Sequence, residues 1–371
     1  MNILCTKENL IKATNIAIRA VSTRTTMPIL ECLLLTADTS FKISSTDTEL
    51  SIETIDIPAE ILTPGSIAIN AKIFFDIVRK LPDNESIILK VENDENNQKI
   101  YIKSGKVEFK LMGQKSEDFP ILPYFEDDEK EQKYSISGEV FKKMIRQTIF
   151  SISKSEDKIA LTGGLLEIEN NNIKLVTVDN FRVSYREEAL LEPGIDVSAI
   201  IPGKTLNELA KVLSDQPVYI YFGDKHILFE FEEGMFITKV IDAEFIRYKQ
   251  ILSQPSVISF DINQKDILES LERAMLISTE TRKTPVKFNI EKDKFIITAA
   301  AETGNFYDEI EINSIRDKLE ISFNPQYILD AVRAIDIENL SFSFSTNLSP
   351  VIIQDINSEN YKYLILPLRL T

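Results

Sequence analysis

Apolar positions recur along this chain with two alternating periods, three-to-four residues in some stretches and two in others. The helical period runs through six stretches: 7–22 (KENLIKATNIAIRAVS), 70–81 (NAKIFFDIVRKL), 137–153, 202–213 (PGKTLNELAKVL), 263–278 and 324–335 (NPQYILDAVRAI). In the first, Leu10, Ile11, Thr14, Ile18 and Val21 fall on one face, which predicts an amphipathic helix. Period-two runs such as FKISSTDTELSIETI and NNIKLVTVDNFRVSY predict strands joined by hairpins. ENDENNQK (92–99) reads as a hairpin tip because strands flank it closely, and LTGGLLEIE (161–169) as a turn entering a strand.

The elements repeat in order. The stretches at 70–81, 202–213 and 324–335 share one pattern and start 132 and 122 residues apart. Each is preceded by a second helical stretch of similar kind, so the chain is a threefold repeat of about 120 residues with two helix-plus-strands units per repeat. The acidic YFEDDEKEQK (124–133), after DFPILP, and ILSQPS (251–256) read as linkers. The expected domains are 1–124, 125–252 and 253–371, and 371 residues is a length that fits two to four domains. The fold class expected is α+β, antiparallel sheets covered on one side by pairs of helices.

Composition adds little enzyme chemistry. The chain holds one histidine, His226, placed at a hairpin turn, and neither a His/Cys cluster with metal-ligand spacing nor a glycine-rich phosphate loop. Its 58 acidic residues mostly alternate with apolar ones on strands, the pattern of a solvated sheet face rather than a catalytic carboxylate pair. No cofactor or metal is expected. Cys5 and Cys32 read as small buried hydrophobes in a reducing cytosol. No apolar run of about 18 residues appears and the N-terminus has no signal design, so a cytoplasmic protein is expected.

Charge changes the picture. The net charge is −16, yet the six helical stretches together carry +6, which leaves −22 on the rest. Helices that face one polyanion, with outer sheets that repel it, fit this distribution; contacts to phosphates alone would be weak and independent of sequence. A 120-residue domain has a gyration radius of roughly 14 Å and a diameter of about 35 Å. Three such domains in a ring leave a hole only about 5 Å wide, whereas six leave about 35 Å, enough for a duplex roughly 20 Å across. A ring around duplex DNA therefore needs two chains, joined head to tail.

Seven stretches then carry a family resemblance: MPILECLLL (27–35), STDTELSIE (45–53), AKIFFDIVRKLP (71–82), SEDFPILP (116–123), TVDNFRVS (177–184), FNPQYILDAV (323–332) and YLILPLRL (363–370). In order and spacing the chain resembles the bacterial beta sliding clamps, the beta subunits of DNA polymerase III, over its whole length. The resemblance implies a head-to-tail homodimeric ring of six domains, helices on the inner face, around double-stranded DNA. It implies a non-catalytic tether that gives the replicative polymerase processivity and is opened by a separate ATP-driven clamp loader. A repeat-built dimeric interaction scaffold without a DNA role is the alternative, and the helix charge bias argues against it.

The resemblance also implies site residues. Arg24, Lys72, Arg79 and Lys204 match positions that touch DNA. A hydrophobic pocket for short peptides of polymerases, loader, repair polymerases and mismatch-repair proteins would involve Leu161, Asn180, Phe181, Arg182, Val183, Ile246, Leu348 and Pro350, with the tail Leu364, Ile365, Leu366, Pro367, Leu368 and Arg369. Asn180 can take positive φ, which would make its turn. Pro367 cannot donate a ladder bond, so the tail is expected to leave the sheet there. For the dimer contact, Phe109 and Leu111 match positions that pack on Leu276 and Ile277.

Overall fold

The computed structural model describes residues 1–83, 85–94, 97–126, 130–278, 284–302, 304–313, 318–358 and 360–368. All six helical stretches fold as helices: α1 Lys7–Ala17, α2 Ala71–Lys80, α3 Gly138–Thr148, α4 Gly203–Val212, α6 Gln264–Ser278 and α7 Pro325–Ala334. A further short helix, α5 Tyr248–Leu252, takes the first residues of the expected 251–256 linker. Side-chain caps start several of them. Asn70 accepts from the Ile73 N–H at α2, and Asn324 accepts from the Gln326 N–H at α7, where Pro325 occupies the first turn. The α2 face then buries Ala71, Phe74, Ile77 and Val78 at helical spacing. The α1 and α3 stretches end sooner than their apolar pattern, each passing into a 3₁₀ turn, Ile18–Ala20 and Ile149–Ser151. In α3 the Thr148 hydroxyl donates back to the Met144 carbonyl at 2.9 Å, a local bond that competes with the helical ladder.

Packing divides the chain into two compact units, Met1–Glu139 with Lys211–Val240, and Val140–Ala210 with Ile241–Thr371. The first unit contains a five-stranded antiparallel sheet in the order Ala59–Thr63, Asn2–Cys5, Ile87–Asp94, Asn97–Ser104, Val107–Gly113. Its second sheet has eight strands, in which Leu50–Thr54 of the first repeat pairs with Gly234–Lys239 of the second, Thr54 opposite Gly234 and Leu50 opposite Thr238. Ile3, Leu89 and Ile102 from one sheet and Leu33, Ile43 and Ile69 from the other meet α1 and α2 in one buried cluster. Cys5 and Cys32 are buried free thiols, and burial pushes them up to about 12 and about 11.

The second unit is built alike. An eight-stranded sheet joins Arg182–Ala189 of the second repeat to Tyr361–Ile365 of the third, Arg182 opposite Ile365 and Arg186 opposite Tyr361. A four-stranded sheet runs Gly304–Glu311, Lys294–Ala301, Val286–Glu291, Leu319–Phe323. Residues Ile267, Leu271, Ile328 and Val332 of α6 and α7 share one buried core with Phe260, Phe288, Phe295, Phe323, Phe342 and Phe344 of both sheets. In both units, then, strands of neighbouring repeats share one hydrogen-bonded sheet.

The hairpin expected at 92–99 is present, its strands pairing out to Asp94 opposite Asn97; residues 95–96 lie outside the described residues. Of the linker at 124–133, residues 127–129 lie outside them too. Phe125, in that same stretch, is buried with Tyr221, Leu228 and Ile237, so the acidic linker is anchored by an aromatic side chain. His226 begins the strand His226–Phe231, as its hairpin position predicts.

Candidate functional site

The strand Asn172–Val178 turns back into Arg182–Ala189 inside the second unit. The turn is held by Asp179, whose Oδ1 accepts from the Phe181 N–H at 2.8 Å and the Arg182 N–H at 3.0 Å. Such an Asx turn needs no left-handed residue. Asn180 indeed has negative φ, contrary to expectation; among the described non-glycine residues positive φ occurs at Thr48, Asn170 and Asn171. The side chain of Asp179 supplies what the backbone of Asn180 was expected to supply.

This turn projects Phe181 outward, 47% exposed, and points Arg182 inward. The Arg182 guanidinium pairs with Asp179 at 2.9 Å and Asp330 at 2.7 Å and donates to the Phe150 carbonyl. It lies 4.3 Å from the Tyr327 ring centroid and 5.3 Å from that of Phe150, while Phe181 stacks on Tyr327 at 6.0 Å. Tyr327 and Asp330 were not assigned from sequence, although both stand within the FNPQYILDAV stretch. Their role depends on α7 reaching the turn, which no local pattern encodes.

Four of the expected pocket residues, Leu161, Val183, Ile246 and Leu364, join one apolar cluster with Leu165, Val176, Val178 and Tyr248. Ile365 belongs instead to the large core of the second unit. The last strand stops at Ile365, before Pro367, as expected. Beyond it the Leu366 N–H donates to the Phe181 carbonyl at 2.8 Å and the Leu368 N–H to the Ser322 carbonyl at 2.7 Å. These two bonds lay the tail along the surface with Leu366 40% and Leu368 36% exposed. Val351 pairs with Ile365, which brings Pro350 to the same end of the sheet, preceded by Leu348 at 67% exposure. An apolar floor with exposed leucines around it results, suited to an extended peptide. Arg369 lies outside the described residues.

Other expected contacts sit on separate elements. In the first unit Lys72 and Arg79 are exposed seven residues apart on α2, hence on one helix face, and Arg24 is exposed in the loop after α1. Arg79 lies over the Phe75 ring at 5.3 Å. Lys204, in the second unit, is exposed in the first turn of α4. Several other helix cations are held in ion pairs: Lys7 with Asp83, Lys12 with Glu8, Lys143 with Asp336 and Arg333 with Glu272. Phe109 and Leu111 are half-buried against the first unit's core, whereas Leu276 is 75% exposed on α6. Ile277, beside it, is half-buried. Among the described residues no three His, Cys, Asp or Glu side chains gather as a metal site, and no helix is long and apolar enough to cross a membrane.

A three-repeat α+β protein with an apolar floor and exposed helix cations has the features of a binding protein. Family models agree in sequence order. Residues 1–123 match the DNA polymerase III beta subunit N-terminal domain, 135–246 its central domain and 249–369 its C-terminal domain. The beta sliding clamp of Bacillus subtilis is 32% identical over 98% of both chains, and that of Staphylococcus aureus strain Mu50 is 30% identical over 96%. A putative DNA polymerase III beta subunit of Eubacterium rectale superposes with a TM-score of 0.94 at 36% identity, covering 100% of both chains. The Bacillus subtilis sliding clamp structure also gives 0.94, at 30% identity and the same coverage. The chain belongs to the family of bacterial beta sliding clamps, the beta subunits of DNA polymerase III. Its function is that of the family, a non-catalytic processivity factor in DNA replication.

Proposed function

We propose that two copies of this chain close head to tail into a six-repeat ring around double-stranded DNA and slide along it as a tether for the replicative polymerase. The observation that carries this reading is that two of the eight end strands of the four described sheets, one in the first repeat and one in the third, stand beside the residues expected at the dimer contact. Among the described strands, Val107–Gly113 ends the five-stranded sheet and Gly304–Glu311 ends the four-stranded one, each paired on one side. Two different open edges on one chain favour a heterologous contact, which forms a closed ring when the rotation permits. Leu276 and Ile277, near the Gly304–Glu311 edge, supply apolar area to that contact, and Phe109 and Leu111 stand on the other edge strand.

Arg24, Lys72, Arg79 and Lys204 then serve as phosphate contacts. Each is a single exposed cation, so binding is weak at any one of them and independent of sequence. Weak contacts suit a ring, because topology keeps it on DNA while low affinity leaves it free to slide. The apolar floor around Leu161, Val183, Ile246 and Leu364, rimmed by Leu348, Leu366 and Leu368, takes short peptides of the polymerase, the clamp loader, repair polymerases and mismatch-repair proteins. A cytoplasmic, nucleoid-associated location follows from that role. The test is retention on nicked circular DNA after loading. The protein should stay on the circle through gel filtration and leave when the circle is cut. Retention that persists after linearisation would overturn the sliding ring.

A further inference from the structure

The connector from Ile241 to Leu252 reaches the apolar floor from outside its sheet. It contributes Ile241, Ala243, Phe245, Ile246, Ile251 and Leu252 as partly buried members of the cluster around Leu161, Val183 and Leu364. Its backbone is tied at Ile241, whose N–H donates to the Ile200 carbonyl at 2.9 Å, and internally by the Tyr248 N–H to the Ile246 carbonyl at 2.8 Å. Polar side chains make the remaining fastening. Tyr248, 4% exposed, donates its hydroxyl to Glu167. Lys249 bridges Glu167 at 3.1 Å and both carboxylate oxygens of Glu169 at 2.9 and 2.8 Å. Lys174, on the next strand, pairs with Glu169 as well. Tyr185, its ring 6.0 Å from that of Tyr248, donates to Glu187. The two lysines hold the Glu169 carboxyl down to about 2, so it stays ionised across the neutral range.

We propose that Tyr248 and Lys249 are positioning residues for the peptide-docking surface. They lock the connector to the Glu167 and Glu169 carboxylates so that Ile246, two residues before Tyr248, is held in the floor. This rests on the docking role of that floor given above. A floor residue on a short connector stays ordered only if something opposes the backbone entropy of the segment. Here the carboxylates of one strand, Gly163–Glu169, do so from the sheet face. A preformed floor binds its peptide without first ordering Ile246, which lowers the cost of binding.

The experiment uses the full chain and a fluorescein-labelled peptide carrying Gln-Leu-Ser-Leu-Phe, read by fluorescence polarisation. Tyr248→Phe combined with Lys249→Met should weaken binding about 5- to 10-fold. Hydrogen exchange should quicken over 243–252 and leave α6 and α7 unchanged. Lys249→Arg should keep wild-type affinity, since a guanidinium can span both carboxylates. Glu169→Gln, which removes no packed volume, should cost about 2- to 3-fold and serves if the double variant melts early. Leu368→Asp, on the rim and outside the fastening, should abolish binding. If it does while the Tyr248, Lys249 and Glu169 variants bind as wild type, the positioning role is overturned and the docking surface stands. If Leu368→Asp binds normally, the docking surface itself falls, and the positioning role with it.

Discussion

Arg182 carries an amount of structure that its place on a surface turn does not suggest. Its side chain is 10% exposed and sits between Phe150 and Tyr327, with Asp179 and Asp330 as partners at 16% and 21%. Exchanging it for Met would strand two shielded carboxylates, and removing one partner from such a pair is costly although the pair itself contributes little net stability. Arg182→Met should therefore lower stability by about 2–3 kcal/mol in urea unfolding, and it should weaken peptide binding as well. A purely functional arginine would show the second effect without the first. Sequence alone marked Arg182 through the TVDNFRVS stretch, but its partner Asp330 lies 148 residues away and only the fold brings it near.

At the scale of the element, the tail and α6 present opposite cases. The strand Tyr361–Ile365 is core, with Leu364 and Ile365 at 2% and 1% exposure, whereas the residues after it lie on the surface. Deleting Leu366 to Thr371 should leave the melting temperature nearly unchanged. It should cut peptide affinity by 100-fold or more, because two leucines contribute roughly 1.5–3 kcal/mol each when covered. Thermal melting and fluorescence polarisation on one preparation test both halves; a collapsed melt would place the tail in the core. Helix α6 exposes Leu276, and Ile277 stands beside it. Leu276→Ala with Ile277→Ala should shift sedimentation toward monomer with the fold retained, since Leu276 gains burial only in the dimer and Ile277 is only half-buried within the chain. Phe109 is a poorer probe because it also packs on its own core. A dimer unchanged in sedimentation would remove this surface from the ring contact.

For the molecule as a whole, the charge division matters more than the net −16. A strongly acidic protein that encircles DNA must keep the phosphates near the exposed cations of its helices and away from its carboxylates. Arg24→Ala with Lys204→Ala should reduce the slope of binding against log salt by about 1.8, roughly 0.9 per phosphate contact. The loss should be equal on DNA of any sequence, measured by electrophoretic retardation of the loaded protein over a salt series. A loss that varied with sequence would mean base readout rather than contact with phosphates alone.

Periodicity by itself determined the six repeated helices and their order, because amphipathic spacing is a local property that each helix obeys wherever it packs. It also placed the end of the last strand, since Pro367 has no N–H to donate to a ladder. Family motifs named four residues of the apolar floor, Leu161, Val183, Ile246 and Leu364. What the chain pattern did not contain was pairing over distance. Gly234–Lys239 completes a sheet begun by Leu50–Thr54, and Tyr361–Ile365 one that contains Arg182–Ala189. Phe125 anchors a stretch whose acidity reads as a free linker, and Asp179 makes the turn that Asn180 was expected to make. Tyr248 and Lys249 fasten a connector to carboxylates some 80 residues earlier. Each depends on which strands meet and which side chains then find a partner, and strand pairing follows from burial of the whole sheet rather than from any short run of residues.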